Sequence, residues 1–249
     1  IIYSIPTITT LPYTEDFEAG FSGWTVGADS ENPSWEEGFP TGAVIDHAAS
    51  GSRVWATNLN GKTNASEQSF LLSPCMDFSE VTTDPILSFQ AWSSTEAGRD
   101  QLWLEQSTDG ENTWTRVEML DYNSPYLSYT GDNPLTDWER RYGVLAGLAG
   151  AADVRLRFVY FSDYATELEG VAIDDIQIYE QGEIDLMLNA AYVLDNPICA
   201  TDNNANVELM ISNTGQQGVN GFSISYQVAG GTVNTEVLPN TTLSPGTAE

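Results

Sequence analysis

Two adjacent aspartates, Asp174 and Asp175, lie within the apolar run GVAIDDIQIY. An ionised carboxylate among buried aliphatic side chains costs free energy unless a cation or several hydrogen-bond donors compensate its charge. Three explanations are open: a catalytic acid/base pair, a metal site, or one side chain turned inward and the other outward. Because neighbouring side chains of a strand point to opposite faces, the two aspartates could not flank one glycosidic bond, which argues against a hydrolytic pair.

Strand alternation also predicts which of the two carboxylates is buried. Ala172, Asp174, Ile176 and Ile178 would share one face of the strand, and Asp175 would lie on the other. Asp174 is therefore expected among core aliphatic residues, where it needs a cation or hydrogen-bond donors more urgently than Asp175 does.

Further oxygen-bearing side chains could complete a metal site around these aspartates. Asp16 and Glu18 lie in TEDFEAG, and Asn58 lies in TNLNG. Calcium prefers oxygen ligands from carboxylates, amides and backbone carbonyls. If the first and last strands pair, Glu18 comes near Asp174. The spacing is not that of an EF-hand loop, so calcium is one hypothesis beside a plain solubilising role for the acidic residues.

Another group of residues is a candidate ligand-binding surface. Alternation in three strand-like runs turns Trp92, Trp103, Glu105, Arg155 and Arg157 away from the inferred core. Indole rings and guanidinium groups form platforms for sugars or peptides. Tryptophan–arginine stacking within the protein would use the same residues. The sequence leaves both interpretations open, local packing and ligand binding.

The segment STDGENTW resembles the Asp-box of sialidase propellers through Ser107, Asp109, Thr113 and Trp114. Glu111 stands where that box has glycine, and a propeller would need repeated copies, of which the sequence contains one. Asp-Gly between two strand-like runs is a hairpin signal. We therefore interpret the segment as a hairpin anchored by Trp114.

Composition excludes several classes of function. The chain has 249 residues and a formal net charge of -28, from 36 acidic and 8 basic residues. Nucleic acid binding requires a basic surface, so neither nucleic acid nor an anionic membrane is an expected partner. No apolar run reaches the roughly 18 residues of a membrane span, so no membrane insertion is expected. With His47 as the single histidine, a catalytic triad or a histidine-rich zinc site is disfavoured, and we predict no enzymatic activity.

Short runs rich in β-branched and aromatic residues, separated by Gly, Pro, Asn and Asp, predict an all-β fold built of sandwiches. A change of pattern near YEQGEIDL predicts two domains, residues 1–182 and 183–249. Four predicted strands in the second domain are too few to close a sandwich, so we expect that domain to be truncated and the chain to be part of a longer protein. Cys75 and Cys199 fall in different domains, and their pairing is left open.

The order of several segments resembles the jelly-roll domain of the MAM-like and cleaved-adhesin group, also called choice-of-anchor J. The segments, within about residues 11–180, are LPYTEDFEAGFSGWT, RVWATNLNGKT, SFLLSPCMDFS, ILSFQAW, DQLWLEQSTDGENTW, VRLRFVYFSD and GVAIDDIQIYE. Residues 183–249 resemble the bacterial Ig-like modules that often follow, through NPIC, VELMISNTG, SYQVAGG and LSPGT. The resemblance predicts a jelly-roll β-sandwich followed by a truncated Ig-like β-sandwich.

The resemblance also implies a function. Such domains occur in secreted surface proteins of Bacteroidota that use type IX secretion, as adhesins or accessory parts of peptidases. It implies structural calcium held by Asp16 or Glu18 with Asp174, joined by Asp175 and Asn58. We therefore expect a secreted or cell-surface adhesion module that binds carbohydrate or protein, alongside other domains of the same longer chain. An accessory region of a secreted peptidase or other hydrolase, and a structural spacer of a large adhesin, are the alternatives.

Overall fold

The structure, a computed structural model, describes residues 7–119, 137–193, 207–227 and 231–245. The chain divides into two compact units, Ile1–Glu180 and Gln181–Glu249, and each is described by itself. Every element in the described ranges is a strand, which confirms the predicted all-β class. These ranges contain no helix long and apolar enough to cross a membrane.

The first unit consists of two antiparallel sheets. The six-stranded sheet contains β1 (Tyr13–Glu15), β3 (Trp35–Gly38), β4 (Val54–Thr57), β6 (Ile86–Ser94), β9 (Glu139–Val144) and β11 (Gly170–Tyr179). The five-stranded sheet contains β2 (Thr25–Val26), β5 (Gln68–Leu72), β7 (Gln101–Ser107), β8 (Thr115–Arg116) and β10 (Arg155–Phe161). Their orders are β3-β4-β11-β6-β9, with β1 also on β11, and β2-β5-β10-β7-β8. Consecutive strands such as β4 to β7 and β9 to β11 alternate between the sheets, as in a jelly-roll sandwich.

One apolar core is built from side chains of both sheets. Inward-facing residues of β6, β7 and β10 alternate as the sequence predicts, and they are fully or almost fully buried. They are Leu87, Phe89, Ala91, Leu102, Leu104, Leu156, Phe158 and Tyr160. Phe158 lies at the centre, with ring centroids 4.9 Å from Phe89 and 5.7 Å from Trp24. Burial of each large apolar side chain stabilises the fold by roughly 1.5–3 kcal/mol.

Strand β11 departs from the predicted alternation because it contains a β-bulge. Asp174 pairs with Gln90 and Gln177 pairs with Ser88, so three residue steps on β11 oppose two on β6. The extra residue is Asp175, with φ of 47°, in the left-handed region. The bulge also marks the point where the neighbour of β11 changes from β4 to β1.

The bulge inverts the faces of the second half of β11. Ile173 and Ile176 both enter the central core, whereas Ala172 packs in a second apolar cluster on the other face of the sheet. The prediction that Ala172, Asp174, Ile176 and Ile178 share a face is therefore wrong. Asp174 lies on the Ala172 face and is nevertheless fully buried, with 0% of its surface exposed.

The second unit contains two antiparallel hairpins. Strand β12 (Leu186–Val193) pairs with β13 (Val207–Asn213), and β14 (Val219–Gln227) pairs with β15 (Val233–Leu243). The Asn213 side-chain amide donates to the Leu243 carbonyl at 3.0 Å, which connects the two hairpins. An Ig-like assembly of these strands stays a prediction. Cys75 forms no disulfide within the described residues, and Cys199 lies outside them.

Gly170, the first residue of β11, provides a test of the packing. Its φ is +81°, and a Cβ atom there would overlap Thr57 Oγ1 and Thr63 Cγ2, both from buried threonines. We expect Gly170→Ala to lower the free energy of unfolding by at least about 2 kcal/mol, because backbone strain and overpacking add. Gly98→Ala is the matched control, since Gly98 also has positive φ (+70°) but open space around it. It should cost about 1 kcal/mol. Equal losses in denaturant titrations would contradict this account.

Candidate functional site

Residues 43–53 form a loop over the outer face of the six-stranded sheet, and three carboxylates hold its backbone. We call it the carboxylate-held loop. Seven of its N–H groups donate to these side chains: Ala43, Val44 and Ile45 to Glu169, Ala49 and Ser50 to Asp174, and Ser52 and Arg53 to Glu18. The distances run from 2.6 Å for Arg53 N to 3.2 Å for Ser50 N. Hydrogen bonds to a charged acceptor are the stronger kind, so the loop is fixed without a strand partner.

Asp174 is compensated by backbone donors. Its Oδ2 accepts from Ala49 N at 3.0 Å and Ser50 N at 3.2 Å, and its Oδ1 accepts from Asp175 N at 2.8 Å. The pKa of Asp174 is raised from 3.8 to about 7, mainly by burial; the charge of Asp175 acts in the same direction, and the three N–H donors oppose both effects. Both oxygens of Asp174 thus have protein partners.

Asp175 lines a polar pocket of about 250 Å³ at the bulge, where β4 gives way to β1 beside β11. The lining residues are Thr14, Glu15, Asp16, Ser50, Asp175, Ile176 and Gln177. Asp175 Oδ1 accepts from Ser50 Oγ at 2.7 Å, and Oδ2 lies 3.9 Å from Arg140 Nη2. Burial raises the pKa of Glu15, with smaller contributions in the same direction from the charges of Asp16 and Glu37, while Phe17 N lowers it.

The five predicted calcium ligands do not converge on one point. Asp16 and Asp175 line the pocket, but Asp174 and Glu18 hold the carboxylate-held loop. The hydrogen bonds from Ser52 N and Arg53 N lower the pKa of the exposed Glu18 carboxyl. Asn58 shapes its own turn, accepting from Asn60 N and donating to Lys62 O. Within the described ranges, no group of three or more His, Cys, Asp or Glu side chains has an arrangement that could hold a metal ion.

The outer face of the five-stranded sheet carries a cluster of alternating aromatic and charged side chains. We call it the arginine–tryptophan face, and it consists of Phe70, Trp103, Glu105, Trp114, Arg116 and Arg157. The residues come from β5, β7, β8 and β10 and from the turn before β8. Strand pairing places Arg157 opposite Glu105 and Glu105 opposite Arg116. The face is therefore a product of sheet register, because its members are distant in sequence.

Stacking and ion pairing hold this face in one arrangement. The Arg157 guanidinium carbon lies 4.1 Å from the Trp114 ring centroid and 4.3 Å from that of Phe70. Glu105 accepts from Arg157 Nε at 2.7 Å and from Trp103 Nε1 at 2.8 Å, through different oxygens. The Arg116 guanidinium carbon lies 4.7 Å from the Trp103 ring centroid. The three distances from guanidinium carbon to ring centroid are those expected of cation–π pairs.

Three of the five predicted ligand-binding residues meet on this face: Trp103, Glu105 and Arg157. Arg155 lies on the same strand but is 7% exposed, with Nε 3.0 Å from Glu111 Oε1 and Nη1 donating to Cys75 Sγ at 3.3 Å. Through its ion pair with Glu111, Arg155 holds the turn after β7.

Trp92 belongs to the other sheet and is 3% exposed. It does point away from the central core, but the carboxylate-held loop and Trp138 cover it, with ring centroids 4.9 Å from His47 and 5.7 Å from Trp138. Its placement in a ligand surface with Trp103 was wrong, because alternation assigns a face of a strand but not the loop that covers that face.

Sequence reasoning missed Arg116, and it treated Trp114 only as a hairpin anchor. The turn between β7 and β8 positions both residues. Asp109 accepts from Thr113 N at 2.9 Å, Thr113 Oγ1 at 2.6 Å and Ser107 Oγ at 2.9 Å, and these bonds lower its pKa from 3.8 to about 2. The predicted hairpin is thus present. The signal for the two missed residues was their place directly after an Asp-Gly turn, opposite Glu105.

His47 lies on the carboxylate-held loop and has structural partners. Its Nδ1 is 2.7 Å from Asp46, its Nε2 is 3.4 Å from Asp137, and its carbonyl accepts from Trp138 Nε1 at 3.0 Å. The hydrogen bond with Asp46 is the main cause of a raised His47 pKa. None of these partners is a nucleophile for acyl transfer.

Comparison with known proteins finds limited similarity. No protein-family model matches the chain. Over 177 residues it is 28% identical to Bacillopeptidase F of Bacillus subtilis (strain 168), a match that covers 71% of this chain and 11% of that protein. The chain therefore corresponds to a small part of that relative.

Among solved structures, the K1 and K3 cleaved adhesin domains of Lys-gingipain from Porphyromonas gingivalis W83 match with TM-scores of 0.45 and 0.46 and identities of 13% and 16%. The matches cover 70% and 68% of this chain and 100% and 98% of those chains. The CBM22-1 xylan-binding domain from Paenibacillus barcinonensis Xyn10C matches with a TM-score of 0.39 and 14% identity, over 67% of this chain and 92% of that one. These values are too low to assign a function to this chain.

Asp174 provides a pH test. Its folded-state pKa of about 7 exceeds the ordinary 3.8, so the folded protein gains a proton as pH falls through 7, and this favours folding. We compare the unfolding free energy of wild type with that of Asp174→Asn. The difference, wild type minus variant, should increase as pH falls from 8.5 to 5, by at most about 1.4 kcal/mol per pH unit. Asp77→Asn is the control: the pKa of Asp77 is lowered, so its contribution changes only below 3.8. A flat difference for Asp174 would contradict the assignment.

Proposed function

We propose that this chain is a non-catalytic binding module whose ligand is a carbohydrate, bound on the arginine–tryptophan face. One observation carries the proposal: Trp103 and Trp114 are held on one open sheet face by Glu105 and Arg157, and both indoles remain partly exposed. Sugar rings present apolar faces that pack on indole rings, and their hydroxyls pair with charged groups beside them.

The rigidity of the face supports binding. A tryptophan that is free to rotate must be immobilised when a ligand binds, at about 0.5–1.5 kcal/mol per side chain. Trp103 is fixed here by its hydrogen bond to Glu105, and Trp114 by its stack on Arg157. A preorganised surface does not lose that free energy when the ligand binds.

The exposed aromatic surface extends along the strand. Phe161, at the end of β10, shares the parity of Arg157 and is 37% exposed. A row of accessible rings suits an extended chain of sugars more than a single small ligand. We therefore propose an oligosaccharide or polysaccharide, and a protein ligand is the alternative outcome of the test below.

Substitution of Trp114 tests the proposal. A glycan array followed by titration calorimetry should identify an oligosaccharide that binds wild type. Trp114→Ala should weaken its binding at least about tenfold, since stacking on one ring contributes more than about 1.4 kcal/mol. Phe39→Ala is the control, because Phe39 is 59% exposed and packs with Arg53 on the other sheet. Melting temperatures of both variants show whether they are folded. If no glycan binds, or if both variants lose affinity equally, the proposal is wrong.

The second candidate function is that of an accessory region of a secreted peptidase, and the similarity to Bacillopeptidase F favours it. The two candidates are compatible, because a binding module can hold an enzyme at its substrate. The complete gene is the test. A peptidase domain in the same reading frame supports this candidate, and its absence leaves an extracellular or cell-surface adhesin, with or without an Ig-like spacer.

We also propose that the pocket at the bulge binds calcium. Asp16 and Asp175, two of the five predicted ligands, line this pocket, and calcium takes six to eight oxygen ligands, which side-chain hydroxyls and amides, backbone carbonyls and water can complete. Arg140 near Asp175 opposes a cation, so Asp16 is the more accessible ligand.

Calcium binding predicts a chelator-sensitive melting temperature. At a calcium concentration of about 100 times Kd, the bound ion would stabilise the fold by about 2.7 kcal/mol, which raises Tm by about 5 °C relative to EDTA. Asp16→Asn should abolish that difference, whereas Asp77→Asn, at a half-buried carboxylate elsewhere, should preserve it. Identical melting of wild type in calcium and in EDTA would exclude the site.

A further inference from the structure

We propose that the outer face of the five-stranded sheet has a second sugar-binding position, formed by Gln68, Phe161 and Gln101, and that the glycan it takes is neutral. This inference rests on the function proposed above and specifies its ligand. Phe161, the last residue of β10, pairs with Gln68 of β5 on one side and with Gln101 of β7 on the other. Directly opposite residues of neighbouring strands share a face of the sheet. The three side chains therefore form one row across three strands, which we call the glutamine–phenylalanine row.

The side chains of this row are available to a ligand. Phe161 is 37% exposed, Gln68 is exposed and Gln101 is partly exposed. Within the described ranges, neither glutamine side chain has a hydrogen-bond partner. An amide offers two donors and one acceptor, and a hydroxyl group both donates and accepts. A sugar ring packed on Phe161 would therefore have an amide at each of two edges to pair with its hydroxyls.

The backbone beneath the row is fixed by hydrogen bonds. Ser162, which follows Phe161, donates from its N–H to the Glu67 carbonyl at 3.0 Å. Glu67, which precedes Gln68, is fully buried, and its carboxylate accepts from Ser34 N at 2.9 Å and from Ser34 Oγ at 2.6 Å. The ends of β5 and β10 are thus held together before a ligand arrives, which reduces the ordering that binding requires.

The row continues the arginine–tryptophan face along the strands. Phe161 lies four residues after Arg157 on β10, a separation of about 13 Å because a strand rises by about 3.3 Å per residue. Between them, Val159 pairs with Phe70 on one side and with Trp103 on the other, so an apolar strip joins the two positions. A ligand that contacts both positions has to be an extended chain of several sugars.

The charges around the row favour a neutral ligand. The row itself contains no charged group. Glu31 is exposed opposite Gln68 in a β-bridge, and Arg99 is exposed in the turn that leads into Gln101, so an acidic and a basic residue flank the row. The chain as a whole has a net charge of -28, which disfavours the approach of a polyanion. Recognition of hydroxyls by amides requires no charge on the sugar.

The experiment measures how affinity depends on the length of a neutral glycan. We would titrate wild type calorimetrically with oligosaccharides of glucose, of mannose and of xylose, from the disaccharide to the hexasaccharide. We expect one series to bind, with an affinity that rises at least about tenfold over that range as the chain reaches both positions. Phe161→Ala should remove this gain, and so should the double variant Gln68→Ala, Gln101→Ala. Gln217→Ala, at an exposed glutamine of the second unit, is the matched control and should preserve the gain. Melting temperatures show whether each variant is folded.

The outcomes separate this inference from the proposed function. If binding needs Trp114 but neither the Phe161 variant nor the double glutamine variant changes it, the proposed function stands and the second position is overturned. If binding needs the row but not Trp114, the row is supported and the placement of the ligand on Trp114 is overturned. A uronate oligosaccharide that binds more tightly than every neutral series would overturn the neutral preference alone. If no glycan of either kind binds, both proposals are overturned.

Discussion

The hydrogen bonds from the backbone of residues 43–53 to Glu18, Glu169 and Asp174 are the interaction on which the six-stranded sheet depends. A loop that covers a sheet without joining it as a strand has no ladder partners for its N–H groups, and unpaired buried groups are costly. Carboxylates solve this because one side chain can accept several donors. Glu169 directly precedes β11 and Asp174 lies within it, so the last strand of the first unit anchors the loop that closes over it.

This covering has two consequences for function. It buries Trp92 and Ala172 in a second apolar cluster with Ile45, so the outer face of the six-stranded sheet offers no aromatic platform at Trp92. It also leaves Trp138 partly exposed beside the loop, whereas the outer face of the other sheet carries two partly exposed tryptophans, Trp103 and Trp114. The outer faces of the two sheets therefore differ. Carboxylates hold a loop over the six-stranded sheet, whereas side chains on the five-stranded sheet hold each other in place.

The two faces use charge in different ways. On the closed face, acidic side chains accept backbone donors, which requires no basic residue and suits a chain with 36 acidic and 8 basic residues. On the open face, Arg157 and Glu105 pair with each other and orient two indole rings. Arg116 and Arg157 contact aromatic rings there through planar guanidinium groups, an arrangement that lysine would not reproduce.

The sequence by itself determined the all-β class, the core faces of β6, β7 and β10, and the Asp-Gly hairpin after Ser107, because alternation and turn chemistry are local properties. It also placed Trp103, Glu105 and Arg157 together on an outward face. The tertiary structure decided which side chains of β11 share a face. The neighbour of β11 changes from β4 to β1 at a bulge at Asp175, and no local sequence pattern predicts that bulge. The compensation of Asp174 was likewise decided there, because two of its three donors come from Ala49 and Ser50, more than a hundred residues earlier in the chain. The contact between Arg116 and Trp103 depends on strand register, which brings together residues that lie apart in the sequence.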